Sequence, residues 1–529
     1  MPKITLYDTT LRDGAQKEGI SFSVADRLEI ARKLDELGIH YIEGGWPGSN
    51  PRDAEFFQRA GHLKLKKAKI AVFGSTARKD TPVEEDANLK AILDSGAKIA
   101  TLVGKASDKQ VTQVLECTLD ENLALIADSI RYLRSKGLTV FFDAEHFFDG
   151  MKNNVNYSLL CLKTAAEAGA ACNILCDTNG GALPGEVEKA VRLACKASAI
   201  PIGIHAHNDG EVAVANSLAA VKAGASQVQG TINGYGERCG NANLCSIIPN
   251  LQLKMGIRCI TEEQLTHLAE ISHSISEAAN LAHDASLPFV GASAFAHKAG
   301  YHVSGITKWI DAYQHIDPAK VGNKTRAVVS DLSGKSNIIY KAKERGLVLP
   351  HGKEAQKLLA QVKQFESLGF QYENAEASFD LLVHRARPDY QPPFELVDFL
   401  VVIEKRRRPA TTRGGTEMLA EAMVKVKVGD QVMHTAAEGN GPVNALDQAL
   451  RKALLQSYPA LESVKLTDYK VRILEENTGT ESQVRVLIES SDGNEEWRTV
   501  GSSTNIIEAS WLALADSVEY WLLKHRSQG

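Results

Sequence analysis

The segment His205-Ala206-His207 places two imidazoles at the end of a short apolar run, residues 201–204, which is typical of a buried strand. Alternate side chains of an extended chain point to the same side, so His205 and His207 project together. Two imidazoles on one side of a strand end are suitable ligands for a divalent metal ion. The alternative is a pair of hydrogen-bonded structural histidines, and the pair alone does not decide between the two.

Polar residues also stand at or just after the ends of other apolar runs. They are, in chain order, Asp13, Glu43, Glu145, Thr178 and Asn241. With the two histidines, the carboxylate of Asp13 and the amide of Asn241 make a mixed nitrogen and oxygen set for one divalent cation, Mn²⁺, Mg²⁺ or Zn²⁺, which leaves positions for substrate oxygens. Taken singly, Asp13 could instead cap a turn, and Asn241 could cap a helix that begins near Leu244.

Three further residues have side chains suited to binding or proton transfer. Arg12, beside the predicted metal ligand, could hold a carboxylate in a bidentate pair or stabilise an enolate. Glu145 is a candidate base, and its alternative role is to pair with Arg12 or Lys105. Thr178 precedes two glycines and could donate a hydrogen bond to a substrate carboxylate.

The spacing of the apolar runs predicts the elements that position these residues. Eight runs recur over roughly 250 residues, with amphipathic helical segments between them, which is the rhythm of a (β/α)₈ barrel. The runs begin near Ile4, Tyr41, Lys69, Ile99, Thr139, Asn173, Pro201 and Gln227. A doubly wound α/β sheet is the alternative, but no glycine-rich dinucleotide turn follows the first run.

Downstream of the barrel the pattern changes twice. Residues 261–372 predict a helical linker or subdomain, with one long helix over 262–281 and another over 353–368. Residues 373–529 contain two similar units, each predicted as strand, strand and helix, which indicates an α+β domain with an internal repeat. No cluster of catalytic residue types occurs in this repeat, so we expect a regulatory or dimerising domain after a catalytic barrel over residues 1–260.

Composition narrows the class of protein. The chain has 529 residues, 44% of them hydrophobic and 24% charged, and a net charge of −5, which gives no support for nucleic-acid binding. The one strong basic cluster, Lys405-Arg406-Arg407-Arg408, is expected to be a solvated loop rather than an anion site. No apolar run is long enough to span a membrane, no signal peptide is recognisable, and eight cysteines form no C-x-x-C pair, so we expect a cytoplasmic location.

Three motifs together resemble a known family. They are Asp8-Thr9-Thr10-Leu11-Arg12-Asp13-Gly14, His205-Ala206-His207 and Gly240-Asn241-Ala242. The chain resembles, over essentially its whole length, the Claisen-condensing TIM-barrel enzymes of the 2-isopropylmalate synthase and homocitrate synthase family. Within that family, residues 44–50, 143–150 and 176–181 are most similar to the citramalate synthases.

The resemblance implies an acyltransferase that condenses acetyl-CoA with pyruvate in isoleucine biosynthesis, with isoleucine as the expected effector. It implies that a divalent metal is bound by Asp13, His205, His207 and Asn241. It also implies that Arg12 and Thr178 hold the 2-oxo acid and that Glu145 takes part in proton transfer. In the subdomain it implies a catalytic pair, His302 and Tyr313, that reaches the partner barrel of a homodimer, although His297 is an alternative to His302.

Other readings stay open at this point. A 2-isopropylmalate or homocitrate synthase would use the same residues with a different 2-oxo-acid pocket. Retro-aldol lyases of the superfamily usually lack a C-terminal repeat of this kind. A metabolite-sensing protein on an inactive barrel would be expected to have lost residues of the site, and none of the expected ligands is missing.

Overall fold

In the computed structural model, the described residues are 4–327, 340, 353–372, 375–387, 389–404, 419–474 and 482–526. The basic cluster Lys405-Arg406-Arg407-Arg408 lies outside them. The chain packs as two compact units. The first comprises Met1–Phe295 and Ile316–Thr325, and the second comprises Ala296–His315 and Arg326–Gly529.

The first unit contains a closed barrel of eight parallel strands, in which the first strand pairs with both the second and the eighth. This confirms the predicted (β/α)₈ fold, and each strand begins within one residue of the predicted position. The strands are β1 (Thr5–Asp8), β2 (Tyr41–Glu43), β3 (Lys69–Ser75), β4 (Ile99–Lys105), β5 (Thr139–Glu145), β6 (Cys172–Asp177), β7 (Ile202–Ala206) and β8 (Gln227–Gly230).

Helices follow the strands and pack their apolar faces on the barrel. The barrel helices are α1 (Val24–Leu37), α2 (Pro51–Ala60), α3 (Ala87–Asp94), α4 (Asp108–Gln113), α5 (Leu119–Ser135), α6 (Phe147–Asn153), α7 (Val155–Glu167), α8 (Pro184–Ala197), α9 (Ala213–Ala223) and α10 (Leu244–Pro249). Helix α1 begins with a capping box between Ser23 and Asp26. It ends at Gly38, whose φ of 91° is a left-handed conformation that glycine adopts without steric cost.

The predicted long helix over residues 262–281 is wrong. The structure has two shorter helices here, α11 (Glu262–Leu265) and α12 (Leu268–Ala278). At the break, the Thr266 hydroxyl donates to the Glu263 carbonyl, and the Thr266 backbone N–H is shared between the Glu262 and Glu263 carbonyls. Gly322 lies so close to the Thr266 carbonyl that a Cβ there would be 2.1 Å from its oxygen. Local hydrogen bonding and a packed neighbouring segment therefore interrupt a continuous apolar pattern.

The second unit contains a short parallel pair and two antiparallel sheets of three strands each. The strands are β9 (Ala296–His297), β10 (Arg326–Ala327), β11 (Glu395–Glu404), β12 (Leu419–Val428), β13 (Gln431–Gly439), β14 (Lys465–Ile473), β15 (Val484–Ser491) and β16 (Glu496–Ser503). The helices are α13 (Gly300–Lys308), α14 (Lys353–Ser367), α15 (Glu376–Arg385), α16 (Pro442–Leu454) and α17 (Ile506–Arg526).

The internal repeat is larger than predicted, because each sheet has three strands where the sequence predicts two. Strands β11 and β14 were missed, and both carry an irregularity in register, between Leu396 and Asp398 and between Leu466 and Asp468. A bulge of this kind interrupts the alternation of apolar and polar residues that predicts a strand. The two bulges occupy equivalent places in the two repeats.

One apolar core joins the two three-stranded sheets of the second unit with helices α16 and α17. It includes Trp497, Trp511 and Trp521, all nearly buried, and the indole Nε1 of Trp497 donates to Ser517 Oγ at 2.9 Å. Across the part of the chain that the structure describes, no helix has both the length and the apolar composition needed to cross a bilayer.

Candidate functional site

Asp13, His205 and His207 lie together where the strands of the barrel end. Nε2 of His205 is 3.2 Å from Oδ2 of Asp13 and 3.2 Å from Nε2 of His207, and Nε2 of His207 is 3.7 Å from the same carboxylate oxygen. All three side chains are buried, and each offers an atom within 4.8 Å of the others that could ligate one metal ion. The sequence predicted this convergence from the strand ends.

Asn241 adjoins this cluster through the backbone, because His207 and Asn241 form an isolated antiparallel bridge. Its Nδ2 donates to the Tyr235 carbonyl at 3.3 Å, and its buried Oδ1 has no hydrogen-bond donor among the described residues. The helix cap that the sequence left open for Asn241 is taken by Asn243, which accepts from the Cys245 N–H. The turn cap that the sequence left open for Asp13 is also absent, because the Asp13 side chain accepts no capping hydrogen bond. An unpartnered buried oxygen beside two imidazoles and a carboxylate fits a cation ligand.

The charges of the cluster depend on burial and on each other. Burial opposes the Asp13 carboxylate, but Arg12 and the two histidines outweigh it and hold the pKa of Asp13 well below its usual range. Burial also opposes the charged form of His205, yet its hydrogen bond and attraction to Asp13 raise the pKa of His205. Burial, followed by repulsion from His205, lowers the pKa of His207 to about 4, so this imidazole is neutral at pH 7 and able to ligate.

Arg238, which the sequence analysis did not single out, reaches the outer side of His207. Its Nη2 donates to Asp209 Oδ2 at 2.9 Å and to the Thr178 carbonyl at 2.8 Å, and it lies 3.1 Å from Nδ1 of His207. A guanidinium only donates, so this contact makes Nδ1 of His207 an acceptor. Ligation of a cation by Nε2 of a neutral His207 would put the ring proton on Nδ1, and Arg238 would then have to move off that nitrogen.

Arg12 pairs with Glu43 and not with Glu145, one of the partners that the sequence left open. Its Nε donates to Glu43 Oε2 at 2.6 Å, and its guanidinium carbon lies 4.0 Å above the centre of the Phe73 ring. The fully buried Glu43 also accepts from the hydroxyls of Tyr7 at 2.6 Å and Thr9 at 2.5 Å. This network fixes the guanidinium beside Asp13, with 3.6 Å between Nη1 and Oδ2.

Glu145 and Thr178 lie at the ends of neighbouring strands on the same side of the barrel. Glu145 Oε2 pairs with Lys105 Nζ at 2.5 Å, and both side chains are partly exposed. The Thr178 hydroxyl accepts from the His146 N–H at 2.8 Å, so its own O–H remains a donor. His146 adopts a left-handed conformation with φ of 58°, which is strained for a residue with a side chain and turns its N–H toward Thr178.

The second unit holds the other predicted pair. The rings of His302 and Tyr313 are stacked with their centres 4.3 Å apart, and both residues are exposed. His297 is buried, its Nε2 has no partner among the described residues, and burial followed by repulsion from His302 lowers its pKa. Of the two histidines that the sequence left open, His302 is therefore the one with access to a ligand.

Comparison with protein families gives three matches along the chain. Residues 3–275 match the HMGL-like family, and residues 289–369 match the homocitrate synthase post-HMGL domain-like family. Residues 373–522 match the LeuA allosteric (dimerisation) domain. The matches follow one another in the order of the barrel, the middle segment and the repeat.

Curated relatives are similar to this chain over essentially its whole length. The (R)-citramalate synthase of Geobacter sulfurreducens is 52% identical, with 100% of this chain and 99% of the relative covered. That of Aquifex aeolicus is 49% identical with the same coverage. The 2-isopropylmalate synthase of Methanocaldococcus jannaschii is 30% identical, with 99% of this chain and 95% of the relative covered.

Proposed function

This chain belongs to the (R)-citramalate synthases of the HMGL-like barrel family, and from that premise we propose that it condenses acetyl-CoA with pyruvate and water to (R)-citramalate and CoA. The observation that carries the proposal is the cluster of Asp13, His205 and His207 with Arg12 fixed beside it. The test is to incubate the enzyme with acetyl-CoA and pyruvate and to identify the product by chiral chromatography. Release of CoA without citramalate would overturn the proposed reaction.

The proposed metal site consists of Asp13, His205, His207 and Asn241. A divalent cation bound there supplies a Lewis acid for the carbonyl of the 2-oxo acid. The fit is supported by the free Oδ1 of Asn241 and by the ionised Asp13, which supplies the negative charge that a cation needs. Chelation should abolish turnover, Mn²⁺ or Mg²⁺ should restore it, and His207→Ala should stay folded but inactive. Full activity after complete removal of metal would contradict this assignment.

Arg12 and Thr178 are proposed to hold the 2-oxo acid. Arg12 is partly buried, permanently charged and held in place by Glu43, so it can pair with an oxyanion without rearranging. Thr178 keeps its O–H as a donor for the substrate carboxylate, because it already accepts from His146. Two donors at separate strand ends would fix the orientation of a small planar acid.

Glu145 is proposed to take part in moving the proton from the acetyl methyl group. When that proton leaves, the methyl carbon bonds to the 2-oxo carbon, whose oxygen takes up a proton, and water then cleaves the thioester to release the CoA thiol. Glu145 is partly exposed and paired with the flexible ammonium of Lys105, so its carboxylate is accessible to substrate. The irreversible loss of the thioester drives the condensation.

The exposed pair of His302 and Tyr313 is proposed to complete the site of a partner subunit in a homodimer. Exposure of both stacked rings, with 39% of Tyr313 accessible, supports a role toward a ligand or a second chain. The match to the LeuA allosteric (dimerisation) domain supports the assembly of two chains.

Isoleucine, the end product of the pathway that citramalate would feed, is the proposed effector of the repeat domain. The loop Gly439-Asn440-Gly441 precedes α16, whose N-cap residue Gly441 has no side chain to accept from the helix, so the backbone N–H groups of the first turn after Pro442 could receive an amino-acid carboxylate. The equivalent segment Ser502-Ser503-Thr504, which comprises the end of β16 and the residue after it, precedes α17, where Asn505 already accepts from the Ile507 N–H. The loop before α16 is therefore the better candidate of the two.

A further inference from the structure

A buried glutamine holds the far side of the imidazole of His205. Oε1 of Gln229, on β8, lies 2.9 Å from Nδ1 of His205, at the end of the neighbouring strand β7. Gln229 is completely buried, and His205 is 5% exposed. The sequence motifs of the site do not include Gln229, which lies one residue before Gly230, the last residue of β8.

The orientation of the Gln229 amide is set by a third residue. Its Nε2 donates to Oδ1 of Asp143, on β5, at 3.4 Å. A carboxyl oxygen that accepts must face the NH₂ end of the amide, because the carbonyl end has no hydrogen to donate. As an acceptor, Asp143 therefore directs Oε1 of Gln229 toward His205.

That orientation decides which nitrogen of His205 can ligate. Oε1 only accepts, so Nδ1 of His205 must carry a hydrogen. In the neutral ring Nε2 then has the lone pair, and Nε2 is the atom that faces Asp13 Oδ2 at 3.2 Å and Nε2 of His207 at 3.2 Å. Nε2 can share a proton with Asp13 or bind a cation jointly with Asp13, and in both cases Nδ1 keeps its hydrogen on Gln229, so the arrangement makes Nε2 the ligating atom.

We propose that Gln229 is a positioning residue that commits Nε2 of His205 to the metal, and that Asp143 acts through Gln229 by fixing its amide. The proposal rests on the proposed metal site. Partners of this kind hold a ligating imidazole in one tautomer and one ring orientation, and their loss typically weakens metal binding by about 10- to 100-fold.

The test compares the Mn²⁺ affinity of full-length variants by titration calorimetry. Gln229→Leu removes the acceptor for Nδ1, so its Kd should rise by about 10- to 100-fold. Gln227→Leu is the matched control, since Gln227 is on the same strand, is 3% exposed and has a buried Oε1 without a partner among the described residues. The control should bind Mn²⁺ as tightly as the wild type, and unfolding temperatures in chelator should show that both variants are folded.

A double variant separates hydrogen bonding from packing. In Gln229→Glu with Asp143→Asn, the carboxylate and the amide exchange places, so the new carboxylate accepts from Nδ1 of His205 and the new amide donates to that carboxylate. The Kd of this variant should return to the wild-type value or below it. Wild-type affinity in Gln229→Leu, or a double variant as weak as Gln229→Leu, would overturn the role of Gln229. Failure of the wild-type chain itself to bind Mn²⁺ would overturn the metal site and the proposal with it.

Discussion

Glu145 is the residue whose charge matters most for the proposed proton transfer. Replacing it with glutamine keeps the shape of the side chain but removes its ability to take a proton, so kcat should fall by roughly 10²- to 10⁴-fold with a smaller change in KM. Steady-state kinetics with acetyl-CoA and pyruvate measure both constants. The control is Glu167→Gln, which breaks an exposed glutamate–lysine pair on α7 and should leave kcat unchanged.

Thr178→Ala gives the contrasting signature, because Thr178 is proposed to bind substrate rather than to move a proton. Its main effect should be a higher KM for pyruvate. A wild-type kcat in Glu145→Gln would remove Glu145 from the chemistry, and an unchanged KM in Thr178→Ala would remove Thr178 from the binding site.

The raised pKa of Asp8 should make the free energy of unfolding depend on pH. Burial raises the pKa of Asp8 to about 7, although the N–H and hydroxyl of Thr10 donate to it. The unfolded chain loses this proton near pH 4 and the folded chain near pH 7, so the unfolded state binds fewer protons between these values. The contribution of Asp8 to stability therefore becomes less favourable as pH rises through that window.

The variant Asp8→Asn does not titrate, so its free energy of unfolding relative to the wild type should increase from pH 4 to pH 7 and then level off. Denaturant titrations at several pH values measure this difference. Asp128→Asn, on the exposed face of α5, serves as the control and should show no such trend. A constant difference between Asp8→Asn and the wild type would show that Asp8 is ionised in the folded protein.

The sequence predicts that Asp13, His205 and His207 meet, because the carboxyl ends of parallel strands lie at one end of the barrel. Residue types alone are enough to identify candidate ligands there. Glu43 could also be placed at that end, but not its bond to Arg12. Gln229 and Arg238 were missed, since each acts only through the ring nitrogen that it faces. Which nitrogen of a histidine meets which neighbour depends on side-chain geometry that spacing does not contain.

At the scale of elements, α1 fixes the loop that carries Arg12. The buried Arg27 donates from Nη1 to the carbonyls of Leu11 and Gly44 and pairs with Asp53 at 3.1 Å. Arg27→Met would leave the buried Asp53 carboxylate without its partner, which typically costs about 3–5 kcal/mol. Chemical denaturation should show this loss. Arg32→Met breaks an exposed pair with Glu29 on the same helix and should change stability by less than about 0.5 kcal/mol. Equal effects of the two variants would contradict the role of Arg27.

Elements with a regular pattern could be predicted and irregular ones could not. Helix α1 is an example of a regular element, because its apolar period, the capping box at its start and Gly38 at its end all agree. The break at Thr266 and the bulged strands β11 and β14 were missed, since each depends on hydrogen bonds or neighbours that override the local pattern. In β11 the apolar residues Leu396, Val397 and Leu400 are exposed, so burial does not follow the alternation expected of a strand with one buried face.

At the scale of the whole molecule, we expect isoleucine to bind to the repeat domain and to inhibit the reaction in the barrel. Isoleucine should lower the rate and should bind more tightly than leucine or valine, and D-isoleucine should have no effect because the site would read a chiral α-carbon. An effector acts only through a difference in affinity between two states, typically 5- to 150-fold. Calorimetry and rate titrations with the full-length enzyme measure both effects.

Other outcomes of this titration have specific meanings. Stronger inhibition by leucine would favour a 2-isopropylmalate synthase. The absence of any response to the three amino acids would leave the repeat as a dimerisation domain.

The central claim is that the barrel condenses acetyl-CoA with pyruvate, and substrate preference tests it most directly. Thiol release from acetyl-CoA should be measured with pyruvate, 2-oxoisovalerate and 2-oxoglutarate, each offered alone. One added or missing methylene in an apolar pocket changes the free energy of binding by about 1–3 kcal/mol, so kcat/KM for pyruvate should exceed that for either larger acid by at least about tenfold. A higher kcat/KM for 2-oxoisovalerate or 2-oxoglutarate would contradict the account and assign the chain to isopropylmalate or homocitrate synthesis.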